Sequence, residues 1–187
     1  VSQAQNGNLS DALNLFKSVL EVIPEHVDAR RNLAKVYLEL GNIEQAEKEL
    51  DICIQINPKD CWAYIMMGNI YTKHKRDLNI AEFYYECGLE HHPDDGMLLN
   101  NYANLMMEKG NFSKAEQLFK KTLNLRPVHP NSYFGLALLY RVTGHPEESL
   151  KVLERLLILM PKTAGIESTQ IYIEARNLYS EIKAETE

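Results

Sequence analysis

Five prolines, Pro24, Pro58, Pro93, Pro127 and Pro161, stand in this chain at successive intervals of 34, 35, 34 and 34. So regular a spacing marks an internal repeat, and it constrains the fold because every unit must share one local structure. Glycine keeps the same beat: Gly7, Gly41, Gly110 and Gly144 each stand half a period before one of these prolines. Only the repeat ending at Pro93 lacks it. A small residue recurs at one offset before each proline (Ala12, Ala46, Ala81, Ala115, Ser149), and a bulky one stands four positions later (Phe16, Leu50, Tyr85, Phe119, Leu153). That offset of four places both on one face of a helix.

Upstream of the glycines runs a second periodic stretch, seen in Leu33-Ala34-Lys35-Val36-Tyr37, Met67-Gly68-Asn69-Ile70-Tyr71, Tyr102-Ala103-Asn104-Leu105-Met106 and Leu136-Ala137-Leu138-Leu139-Tyr140. Large, small and large residues again share one helical stripe. Each unit therefore reads as helix, glycine turn, helix, proline stop, since glycine accepts the left-handed conformation that ends a helix and proline cannot continue one. No alternating strand pattern interrupts the series, so the fold is all-α. The small residues let paired backbones approach where a larger side chain would overpack, at a cost of ~1–3 kcal/mol.

This pattern resembles the tetratricopeptide repeat, whose signature of aromatic, Leu, Gly, Tyr, Ala, Phe and Pro recurs at a period of about 34 residues. The match covers residues 7–163. The resemblance implies a right-handed superhelical solenoid of antiparallel helical hairpins. Repeats fall at 27–60, 61–95, 96–129 and 130–163, preceded in 1–26 by the second helix of a broken repeat and followed in 164–187 by a linker and a capping helix. The unit 61–95 carries one extra residue within Lys73–Asn79 and no turn glycine, which predicts a longer turn with unchanged packing. The stripe Ile171, Ala175, Leu178 and Ile182 predicts the buried side of the capping helix, with Tyr172, Asn177 and Ser180 on its polar side. At the other end Val1–Asn6 reads as a helix stub, leaving Leu13, Phe16 and Leu20 short of a partner. That predicts a chain continuing upstream, and self-association through this end.

Chemistry is sparse by comparison. Neither GxGxxG nor GxxxxGK occurs, so no phosphate cradle is expected, and there is no GxSxG elbow. Cys53, Cys61 and Cys87 form no CxxC pair, which points to reduced structural thiols in an intracellular, cytoplasmic setting. Cys87 and His91 share a helical face near His92, Asp94 and Asp95, but they lack the second ligand pair of a zinc site; no metal, cofactor or catalytic residue is expected, and the reading is not an enzyme. With 20 Lys and Arg against 26 Asp and Glu, the net charge of −6 offers no positive field for nucleic acid or anionic lipid.

In the family this resembles, first helices line a concave wall that holds peptide segments of other proteins. Transferred to this sequence, the peptide-binding wall is Arg31, Asn32, Lys35, Trp62, Ile65, Met66, Asn69, Met97, Asn100, Asn101, Asn104, Asn131, Phe134 and Leu138. Taking Arg31, Lys35, Lys73 and Arg141 against Glu39 and Glu108, its charge is +2, with the acidity, Glu116 included, outside. Asn amides in register could grip a peptide backbone, as in the arm of O-GlcNAc transferase. The carboxylate clamp for chaperone tails does not fit: where it needs Asn or cations, this chain has Met66, Met97 and Asn101. The expected function is a protein-interaction scaffold, with two alternatives. One is the substrate-recruiting arm of a larger enzyme such as a glycosyltransferase. The other is an RNA-reading helical repeat like the pentatricopeptide family, against which acidity and the repeat period both argue.

Overall fold

A computed structural model describes residues 3–160 and 166–186 of the chain. Among these residues the helices are α1 Gln3–Val22, α2 Val27–Glu39, α3 Ile43–Ile56, α4 Cys61–Ile70, α5 Leu78–His91, α6 Gly96–Glu108, α7 Phe112–Leu125, α8 Pro130–Val142, α9 Pro146–Leu159 and α10 Ile166–Thr186. Helices α2 to α9 pair as four successive hairpins. Pro161 and the link through Gly165 lie outside the described residues.

Gly41, Gly110 and Gly144 take φ of 78°, 74° and 78°, ending the first helix of their hairpins as their spacing predicts. The chain then closes back, with the Asn42, Asn111 and His145 amides donating to the Tyr37, Met106 and Tyr140 carbonyls, each at 2.8 Å. In the hairpin without a glycine, α4 widens into a π-type turn over Tyr71–Lys75 that absorbs the extra residue. Arg76 then adopts φ 58° in the glycine's place, and the Asp77 amide reaches back to the Tyr71 carbonyl at 3.0 Å. The longer turn is therefore real, and it preserves the left-handed stop without glycine. Gly7 differs from expectation: α1 runs through it without a break. A glycine inside a helix costs about 1 kcal/mol, a penalty that the rest of a 20-residue helix can absorb.

The chain divides into two compact units, 1–93 and 94–187. In the first, Ala34, Ala46, Leu50, Cys53, Ala63, Met67 and Ile70 are buried together. At Gly68 an added Cβ would lie 2.4 Å from the Tyr85 ring, so the bulky residue of α5 fits only because α4 has no side chain there. In the second unit, Tyr133, Ala137, Leu153, Leu156 and Met160 pack with Ala175, Leu178 and Ile182 of α10. Gly135 and Phe119 repeat the close approach, at 2.5 Å. Tyr172, expected on the polar side of α10, is instead half-buried against this core. Its long ring reaches apolar neighbours that Asn177 and Ser180, both exposed, do not.

Candidate functional site

Two residues after four of the punctuating prolines stands the N-cap of a first helix: His26, Asp60, Asp95 and His129. A carboxylate or an unprotonated ring nitrogen there accepts from otherwise unpaired amides and sets the start of the helix. Asp60 takes the Trp62 and Ala63 amides at 3.1 and 3.3 Å, and Asp95 takes those of Met97 and Leu98, both at 2.9 Å. The expected wall residues Trp62 and Met97 thus follow directly from caps that fix where their helices begin.

In the first unit, Asn32 and Lys35 are exposed on α2, and Trp62 on α4 is 49% exposed. Met66 and Asn69 are half-buried, and the Asn69 side-chain carbonyl accepts from the Tyr85 hydroxyl at 3.0 Å. Ile65 is buried in the core. Arg31 is held by Asp28 and by the buried Asp60, whose Oδ2 lies 3.1 Å from its Nε. Of the cations expected on the wall in this unit, Lys35 on α2 and Lys73 in the turn after α4 are exposed.

In the second unit, Met97 is 39% exposed, Asn104 and Asn131 are exposed, and Asn101, Phe134 and Leu138 are half-buried. Phe134 and Leu138 pack against the core to which α10 contributes. Asn100 is buried, and its Oδ1 accepts from the Ser132 hydroxyl at 2.8 Å, a bond that ties α6 to α8. Arg141 bridges Glu181 and Glu185, each at 3.0 Å. Arg31 and Arg141, two of the cations counted in the expected charge of +2, are thus paired within the protein. One further residue extends the set: Val142, 63% exposed, continues the i, i+4 stripe of Phe134 and Leu138, a spacing legible in the sequence. Glu116 is likewise no free outer charge, being bonded to Lys120 and to the Tyr140 hydroxyl, both at 2.7 Å.

Burial works against ionisation of two of the three thiols. Cys53 is buried and burial pushes its pKa up to about 12, while burial also raises Cys87; all three cysteines are unbridged. Among the described residues no three His, Cys, Asp or Glu side chains are placed to hold a metal ion, Cys87 and His91 included.

Tetratricopeptide repeat profiles match residues 3–67 and 101–164, about two-thirds of the chain between them. The chain is 22% identical over 158 residues to the BBSome complex member bbs-4 of Caenorhabditis elegans, covering 84% of this chain and 34% of that protein. It is 23% identical over 170 residues to the human protein O-mannosyl-transferase TMTC3, covering 83% of this chain and 19% of the relative. The chain therefore spans about a third or less of the length of these relatives. Among solved structures it resembles TTC0263, a thermophilic TPR protein of Thermus thermophilus (TM-score 0.72, 23% identity, 92% of each chain). It also resembles YrrB, a TPR protein with an unusual peptide-binding site (TM-score 0.65, 16% identity, 93% of this chain and 86% of that one). These likenesses establish a common fold.

Proposed function

The chain belongs to the tetratricopeptide repeat family, and from that premise we propose that it is a protein-interaction scaffold that binds a peptide segment on its first helices and performs no chemistry of its own. The observation that carries this reading is Trp62, a large aromatic side chain left half-exposed on the first turn of α4. The Asp60–Arg31 pair joins that turn to α2, the helix on which Asn32 and Lys35 are exposed. Exposed aromatics flanked by groups that can pair with a peptide backbone are the usual anchors of an interface. On α6 and α8 the corresponding set is Met97, Asn101, Asn104, Asn131 and the edges of Phe134 and Leu138. Ile65 and Asn100 support these faces from below. The likeness to YrrB, a TPR protein with a peptide-binding site, favours the same reading.

Because Arg31 and Arg141 are internally paired, binding should depend mainly on apolar anchors and amides, with Lys35 and Lys73 adding a weak preference for acidic ligands. A peptide selected from a displayed library against the full chain would be titrated against variants. Trp62→Ala is expected to weaken binding about tenfold or more, and Asn104→Ala to weaken a ligand of the second unit, with helicity intact. Gln117→Lys, an exposed change on α7, should bind normally; loss with Gln117→Lys alone would place the functional surface on the second helices.

The similarity to TMTC3 favours a second reading, in which this segment recruits substrates for a catalytic domain elsewhere in a longer protein. Self-association through the α1 end, where Leu15, Val22 and Ile23 are exposed while Leu13, Phe16 and Leu20 are half-buried, and a cytoplasmic setting belong to the same proposal. No helix among the described residues is long and apolar enough to cross a membrane.

A further inference from the structure

The second helices of the repeats share one register, and α5 departs from it. Two places after the recurring small residue stand Asn14 in α1, Lys48 in α3, Gln117 in α7 and Lys151 in α9, all polar and all exposed. In α5 that place holds Phe83, 59% exposed. One place before the small residue stand Asp11, Gln45, Lys114 and Glu148, and in α5 the exposed Ile80. Packing of a second helix therefore needs no apolar side chain at either place, yet α5 has one at both. A spacing of three sets Ile80 and Phe83 on one face, away from the buried Ala81, Tyr85 and Gly88.

Phe83 is the outer end of an aromatic row. It meets Tyr84 edge-on with ring centroids 5.5 Å apart, and Tyr84 stacks on Tyr71 at 5.6 Å. Glu47 holds the Tyr71 hydroxyl, and Lys75 pairs with Glu47 and lies over the Tyr71 ring at 5.0 Å. The inner end of the row is thus built and occupied, while Phe83 stands in solvent.

The charge beside it is of one sign. Helix α5 carries Glu82, Glu86 and Glu90 and neither Lys nor Arg, whereas every other second helix has at least one of these cations. Glu86 and Glu90 follow Phe83 by one and two helical turns on its own face. Both act on the intervening Cys87, whose thiol is raised by burial, then Glu90, then Glu86. Across the row Asp51 of α3 is exposed, and after burial its charge is the next cause lifting the Tyr84 hydroxyl to about 12. In the turn before α5, Lys75 is engaged as above and Arg76 donates to the Thr72 carbonyl at 3.2 Å.

We propose that Ile80, Phe83, Glu86 and Glu90 form a second docking surface, on the outer face of α5, for a peptide segment that sets Lys or Arg beside an apolar residue. The aliphatic stem of the cation covers the Phe83 ring while its charge reaches a carboxylate, and the apolar neighbour lies against Ile80. A second copy of the chain, with a net charge of −6, is the poorer electrostatic match for this face. The surface is separate from the first-helix wall and does not rest on it.

The test uses a displayed library of random 12-residue peptides, selected on the full chain and counter-selected on Phe83→Gln. Glutamine occupies the equivalent place in α7, so this variant keeps the fold, which circular dichroism verifies. Surviving peptides are expected to carry Lys or Arg next to an apolar residue. Titrated singly, they should bind Phe83→Gln about tenfold more weakly than wild type, and Glu90→Gln about twofold to fivefold more weakly. Replacing their cations by Glu should abolish binding, and Trp62→Ala should bind them as wild type does. No survivor, or survivors without Lys or Arg, overturns the proposal. So does loss of binding in Trp62→Ala, which would put the peptide on the first-helix wall. A wild-type dimer in sedimentation that Phe83→Gln dissolves would make a second copy the occupant and overturn it too.

Discussion

Arg76 shows how far one residue can be asked to stand in for another. The other three hairpin turns use glycine at φ of 74° to 78°, and Arg76 reaches 58° with its guanidinium donating to the Thr72 carbonyl at 3.2 Å. A left-handed conformation costs an ordinary L-residue about 1–2 kcal/mol. Arg76→Gly should therefore change stability by less than about 1 kcal/mol, because relief of that strain is offset by the greater freedom of glycine in the unfolded chain. Arg76→Val, β-branched, should cost about 1–2 kcal/mol beyond that. Urea unfolding midpoints of the two variants check both; a neutral Arg76→Val would mean that the turn relaxes out of the left-handed region. The extra residue of this turn is legible in the spacing of Pro58 and Pro93. The conformation at Arg76 is not, since nothing local to an arginine favours positive φ and only the closing hairpin imposes it.

Between helices, one polar device recurs in both units. Glu47 of α3 accepts from the Tyr71 hydroxyl and pairs with Lys75, and Glu116 of α7 accepts from Tyr140 on α8 and pairs with Lys120. In each, a second helix is tied to the first helix of the next hairpin or to the turn that ends it. The Glu47 bond, with burial, pushes the Tyr71 hydroxyl up to about 12. The bonds from Lys120 and then Tyr140 outweigh burial and hold the Glu116 carboxyl below its ordinary value of 4.5. A depressed carboxylate contributes stability that is present above the unfolded value and lost as the pH falls through the folded one. Tyr140→Phe should cost about 1 kcal/mol near neutral pH and flatten the loss on acidification below about pH 4.5, because it removes one bond that favours the ionised form. Urea midpoints measured down that range in both proteins would show it, and parallel acid profiles would sink the account. Sequence spacing assigns Glu116 to a solvated outer face because helical periodicity separates inner from outer sides of one helix. It says nothing about a tyrosine arriving 24 residues later.

For the whole molecule, the division into units at Pro93 and Asp94 gives the largest prediction. In repeat arrays stability is close to a sum of each unit's own packing and nearest-neighbour interfaces. The buried cluster of Tyr133, Leu153, Leu156, Ala175, Leu178 and Ile182 lies entirely within residues 94–187. A fragment spanning those residues is therefore expected to be helical and to melt cooperatively, though at a lower temperature than the full chain. Circular dichroism followed on heating tests this, and a fragment without a cooperative transition would show that its core is insufficient alone.

Periodicity alone determined the helical hairpins, their small-residue contacts and the stops at Gly41, Gly110 and Gly144, because these depend on residues a few positions apart in a recurring pattern. Which of the expected wall residues stay exposed and unpaired was decided only by tertiary structure. Arg31 meets Asp28 and Asp60, Arg141 meets Glu181 and Glu185, and Asn100 meets Ser132. Apart from Asp28, these partners lie beyond the reach of a single helix's spacing, as does the packing that buries Ile65 but leaves Trp62 half in solvent. Helical spacing gives each residue a direction from its own axis, whereas burial and charge pairing depend on what another element places there.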